Sequence, residues 1–126
     1  MARVMIVDDD LTGLKACRAL LESEGIEVLT ACDPIQADTL LDIAHPSSID
    51  LILLDVGLPI CPGDEIALAY HKDRRPDNPQ MKIVLYSGLP EEDLMAKARD
   101  AFADGYIVKG SGDLIAKVKG YLAVKR

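Results

Sequence analysis

Apolar residues fall into five short runs, Val4 to Val7, Ile26 to Thr30, Leu51 to Leu54, Ile83 to Tyr86 and Tyr106 to Val108. Between them lie longer stretches in which apolar positions recur every three or four residues. The short runs predict strands. The first, third and fourth are apolar throughout rather than alternating, as strands are when helices cover both faces of a sheet. The intervening spacing predicts helices. Leu14, Cys17 and Leu21 mark the first, with Gly25 placed to end it. Ala37, Leu40, Leu41 and Ala44 follow an Asp33-Pro34 start at i, i+3, i+4 and i+7. A shorter third helix is expected from about Asp64. Glu91, Glu92 and Asp93 set carboxylates at the positive end of a fourth, whose buried stripe continues through Leu94, Ala98 and Ala101. Leu114, Val118 and Tyr121, with Ile115 and Leu122, mark a last helix starting near Ser111 and running almost to Arg126. Strand and helix alternate, which predicts an α/β fold: a doubly wound, five-stranded parallel sheet with helices on both faces. Lys72 to Gln80, polar and punctuated by Pro76 and Pro79, is expected to be an exposed connection only.

Composition narrows this picture. A length of 126 residues suits one domain and is short for two of usual size. No apolar run approaches the roughly 20 residues of a membrane span, and none near Met1 has signal-peptide length, so the cytoplasm is expected. Cys17, Cys32 and Cys61 are odd in number and lack a C-x-x-C pair, which argues against disulfides and zinc. Cys17 and Cys32 are expected in the core and Cys61 in a loop, where a thiol has the better chance of reacting. The net charge of −7 repels a phosphate backbone and disfavours direct DNA binding.

In an open parallel sheet the functional crevice lies beyond the carboxyl ends of the strands. Asp8 and Asp9 end the first run, Asp55 the third, Ser87 the fourth and Lys109 the fifth. Clustered carboxylates repel one another unless a cation sits among them, and oxygen ligands suit magnesium. An ionised aspartate attacks phosphorus to form an acyl phosphate, while a metal, an ammonium and a hydroxyl neutralise the transferred group. Asp55, Lys109 and Ser87 fit those parts. Taken singly, each has a plainer reading: an aspartate cap, a serine at a strand end, a solvated lysine, and for Asp8-Asp9-Asp10 a solvated turn. Their joint placement at four strand ends carries the chemical reading.

The chain resembles the response-regulator receiver family over essentially its whole length. The resemblance lies in Ile6-Val7-Asp8-Asp9, in Asp55-Val56-Gly57-Leu58-Pro59 with Gly63, in Ser87-Gly88, and in Gly105-Tyr106-Ile107-Val108-Lys109. It implies one receiver domain over 1–126 with the flavodoxin-like strand order 2-1-3-4-5. It implies a phosphoacceptor at Asp55, supplied in a two-component phosphorelay by a sensor histidine kinase or a histidine phosphotransfer protein. Phosphorylation would then switch binding to a downstream protein target. Magnesium or manganese would be held by Asp9, Asp55 and the Gly57 carbonyl directly, and by Asp8 through a bound water. Ser87 would bond a phosphoryl oxygen and, with Tyr106, form a switch pair; Tyr106 also has a reading as plain packing. By the same resemblance the chain is a signalling protein that assists its own phosphorylation and dephosphorylation, not an enzyme.

Asp10 is expected to cap the first helix rather than bind metal. The family usually has proline after the lysine, commonly through a cis bond, where this chain has Gly110. The Lys109–Gly110 bond is expected to be trans, since a non-proline cis peptide costs about 2.5–4 kcal/mol. Gly57 and Leu89, at positions that influence the attacking water in the family, offer no polar side chain. His45 and His71 lack a phosphotransfer context. Three rivals stand beside the receiver reading. An aspartate-nucleophile phosphatase would want D-x-D, where Gly57 stands. A flavodoxin-type cofactor binder would want a hydroxyl- and glycine-rich loop where three acids stand. The third is a receiver-like interaction module that no longer cycles phosphate.

Overall fold

The computed structural model describes residues 2–43, 49–58 and 60–124. Strands and helices alternate as β1 (Arg3–Val7), α1 (Leu11–Glu22), β2 (Glu27–Ala31), α2 (Pro34–Ile43), β3 (Leu51–Leu54), α3 (Gly63–Asp73), β4 (Lys82–Ser87), α4 (Glu91–Asp100), β5 (Gly105–Val108) and α5 (Leu114–Ala123). All neighbouring strands are parallel, in the order β2-β1-β3-β4-β5. Successive strand residues point to opposite faces. Met5, Val7, Ile52, Leu54, Ile83 and Leu85 therefore meet α2, α3 and α4 through Ala37, Leu41, Ile66, Ala67, Leu94 and Ala98. Val4, Ile6, Leu51, Leu53, Val84 and Ile107 meet α1 and α5 through Leu14, Cys17, Leu21 and Val118. Both sets are buried, which is why the runs Val4 to Val7, Leu51 to Leu54 and Ile83 to Leu85 are apolar without alternation. No helix among the described residues is long and apolar enough to cross a membrane.

Several expectations are corrected. Helix α5 begins at Leu114, not near Ser111: Gly110 and Gly112 lie at φ 79 and 83, a left-handed path that delays the helix. The Ser111 hydroxyl instead donates to the Val108 carbonyl at 2.7 Å. Helix α3 is no shorter than its neighbours, because it absorbs Lys72 and Asp73. Ala101 is buried, as its place in the stripe implies, but it lies just beyond α4. Cys17 is buried, whereas Cys32 is only half-buried and its thiol donates to Gln36 Oε1 at 3.1 Å. Burial and Glu65 raise the Cys61 thiol, which makes it less ready to ionise and react. The expectations for Ala44, His45, Pro59 and the last two residues fall outside the described residues.

The segment after α3 is more than a connection. Arg75 sends its guanidinium to Asp104 at 2.5 Å, and the same carboxylate accepts the Ile83 N–H at 2.7 Å. Asn78 is buried and its side-chain amide donates to the Ile49 carbonyl at 2.8 Å. Prolines announce a turn, but they do not show that a polar side chain inside it completes the backbone leading into β3. Asn78→Ala leaves that buried carbonyl without its donor and is expected to cost about 1–3 kcal/mol in urea unfolding. An unchanged midpoint would show that another donor replaces it.

The outer margin of β5 carries a side-chain bracket. The Tyr121 hydroxyl accepts the Tyr106 N–H at 3.1 Å and donates to the Tyr106 carbonyl at 3.3 Å. Glycine at position 105 makes room for it: a Cβ there would lie 1.9 Å from the Tyr121 oxygen.

Candidate functional site

The pairings Val7↔Leu54 and Ser87↔Val108 bring four strand ends to one rim. Asp8 follows β1 and Asp55 follows β3, so the two carboxylates become neighbours across adjacent strands. One oxygen from each of Asp8, Asp9 and Asp55 lies within 4.8 Å of the others. Asp8 and Asp55 are buried and Asp9 is exposed. Lys109 extends from the end of β5, with its Nζ 2.8 Å from Asp8 Oδ2 and 3.6 Å from Asp55 Oδ1. The other Asp8 oxygen accepts the Asp10 N–H at 3.0 Å, and Asp55 Oδ1 accepts the Gly57 N–H at 3.2 Å.

These contacts set the charges. Burial pushes the Asp55 carboxyl above its ordinary value; the Lys109 ammonium and the Gly57 N–H draw it down, and Asp8 pushes it up again. Burial by itself would lower the Lys109 ammonium. Its hydrogen bond to Asp8 and the charges of Asp55 and Asp8 outweigh that and hold it above its usual value. The rim therefore presents three carboxylates against one cation, a donor set that fits a hard, oxygen-ligated divalent ion.

Ser87 is buried at the end of β4, and its Oγ accepts the Leu89 N–H at 3.2 Å. Tyr106 is half-buried on β5, and its hydroxyl donates to Glu91 Oε1 at 2.9 Å in the first turn of α4. That bond raises the phenol. Asp10 occupies the cap position of α1 through its backbone, but its carboxylate makes no capping hydrogen bond. It lies instead over Gly13, where a Cβ would be 2.9 Å from Oδ2. Lys109 and Gly110 are joined by a trans bond, and the Lys109 N–H donates to the Ser87 carbonyl at 2.8 Å.

Two positions gain roles that periodicity does not reveal. Tyr86 sets its ring centroid 5.2 Å from Lys109 Nζ. Gly63 starts α3 so close to β3 that a Cβ would lie 2.1 Å from the Asp55 carbonyl oxygen. Tyr86 carries no sequence signal beyond being an aromatic one residue before the strand-end serine. Gly63 carries only its fixed spacing from Asp55. Two clefts among the described residues lie elsewhere, one of about 540 Å³ by Lys82 and Val124 and one of about 470 Å³ between α2 and α3.

The response regulator receiver domain family matches the chain over residues 4–119, and the chain belongs to that family, the receiver domains of two-component systems. It is similar to the transcriptional regulatory protein PrrA of Mycobacterium tuberculosis, 34% identical over 122 residues that cover 95% of this chain and 49% of that protein. It is also similar to the transcriptional regulatory protein CpxR of Escherichia coli, 32% identical over 97% of this chain and 50% of that one. Among solved structures, the CheY-like receiver domain protein of Methanospirillum hungatei superposes with a TM-score of 0.82 at 31% identity, covering 97% of this chain and 94% of its own. The chain thus spans about half the length of these two curated relatives.

Proposed function

We propose that this receiver domain accepts a phosphoryl group on Asp55 from a phosphohistidine of a sensor histidine kinase or histidine phosphotransfer protein. The observation that carries this reading is the placement of the Asp55 carboxylate at the rim, with Lys109 Nζ at 3.6 Å and oxygens of Asp8 and Asp9 within 4.8 Å. In the transfer an Asp55 oxygen attacks phosphorus, the phosphorus–nitrogen bond breaks, and the imidazole leaves with that electron pair. The Lys109 ammonium balances negative charge on the phosphoryl oxygens, and the Ser87 hydroxyl is the candidate donor to one of them. Magnesium or manganese would be held by Asp9, Asp55 and the Gly57 carbonyl, with Asp8 acting through water. When bound, the ion supplies charge neutralisation on the transferred group.

The downstream event is a change of binding to a protein target, with Ser87 and Tyr106 as the switch pair. In this reading the chain is a signalling protein of the cytoplasm that assists its own phosphorylation and dephosphorylation. The test is magnesium-dependent uptake of phosphate from acetyl phosphate, read as an intact-mass increase mapped to Asp55. No uptake would favour the interaction module that does not cycle phosphate. For the ion itself, Asp9→Ala is expected to weaken magnesium binding about tenfold or more by calorimetry. Equal affinity in the two proteins would remove Asp9 from the ligand set.

A further inference from the structure

We propose that Tyr86 is a positioning residue for Lys109, its ring holding the ammonium where the phosphoryl transfer proposed above requires it; the inference rests on that reading. Lysine is a point charge on a flexible four-carbon stem, so its aim has to come from its surroundings. The Lys109 side chain is 29% exposed, and the residue after it is an exposed glycine at φ 79 that offers no side chain to pack against the stem. Three groups fix the ammonium: Asp8 at 2.8 Å, Asp55 at 3.6 Å, and the Tyr86 ring with its centroid at 5.2 Å. That last distance is within the roughly 6 Å over which a ring face attracts a cation.

The three are not equivalent during the reaction. Asp8 and Asp55 are candidates for the metal, and Asp55 is the group that becomes modified, so the pull of both on Lys109 changes. The ring does not change. It is also well held. Tyr86 belongs to β4, packs with the α1 and α5 face of the core, and turns its hydroxyl toward the buried Cys17 thiol of α1. What only an aromatic adds is a negative face toward Nζ.

The test compares Tyr86→Leu, which removes the ring, with Tyr86→Phe, which keeps it. In proton NMR the Lys109 ε-methylene should show an upfield ring-current shift in the parent and in Tyr86→Phe, and lose it in Tyr86→Leu. With magnesium and acetyl phosphate, Tyr86→Leu should label about three- to tenfold more slowly, and Tyr86→Phe should restore most of the rate. Tyr86→Met, long and apolar but without a ring, should behave as leucine does and serves if leucine folds poorly. A shift that survives in the leucine and methionine proteins, or labelling at the parent rate in both, overturns the role of Tyr86. A parent chain that takes up no phosphate overturns the functional reading instead, and with it the role.

Discussion

Asp55→Asn is expected to take up no phosphate from acetyl phosphate under conditions that label the parent chain, a loss of at least about a hundredfold in rate. An amide oxygen lacks the charge that lets a carboxylate attack phosphorus, and the remaining rim cannot replace it. The same substitution should raise the thermal midpoint at neutral pH without divalent ions. Burial lifts the Asp55 carboxyl above its ordinary value, so its ionised form opposes folding wherever it is charged. Because the folded value lies above the unfolded one, this opposition is present at neutral pH and fades as the pH falls through the folded value. The two proteins should therefore differ at pH 7 and converge in acid. Asp8, 2.8 Å from Lys109 Nζ, is a partner that the substitution does not remove. Labelling of the asparagine protein would move the acceptor elsewhere. A lowered midpoint would show that the pairing of Asp55 with Lys109 outweighs its burial.

Gly63→Ala is the second large effect. The added methyl would lie 2.1 Å from the Asp55 carbonyl oxygen, 2.7 Å from its carbonyl carbon and 3.1 Å from the Val56 Cα. All three are backbone atoms, so no rotamer change relieves the clash. The Gly63 N–H also donates to the Val56 carbonyl at 3.1 Å, which ties the start of α3 to that same stretch. Either α3 moves outward or the end of β3 gives way, at an expected cost of about 2–4 kcal/mol. Since the strand end that moves carries Asp55, phosphate uptake should fall together with the urea midpoint. Full stability with full uptake would mean that α3 re-seats without disturbing the rim.

Much of this was legible because an α/β sheet writes its strands as continuous apolar runs. Leu51 to Leu54 was read with the bounds the structure gives, and the other strands within a residue or two. The convergence of Asp8, Asp9, Asp55, Ser87 and Lys109 followed from parallel pairing, which sends every strand's carboxyl end to one rim. Polar atoms that cross between elements left no such trace. Nothing in the periodicity says that the Asn78 amide serves the Ile49 carbonyl, or that the Asp10 carboxylate turns over Gly13 instead of capping α1. The late start of α5 was hidden for another reason: serine is a good cap, but the left-handed glycines on either side of Ser111 override that local preference.

The bracket that Tyr121 places on Tyr106 bears on how this sheet meets other chains. The margin of a β-sheet is a template, since each outward peptide group invites a foreign strand to add and a polymer to start. On β5 the outward N–H and carbonyl of Tyr106 are already engaged by one hydroxyl. A newcomer strand would first have to prise α5 away from that side of the molecule. Strand addition is therefore opposed at Tyr106, by a device made of one glycine and one tyrosine.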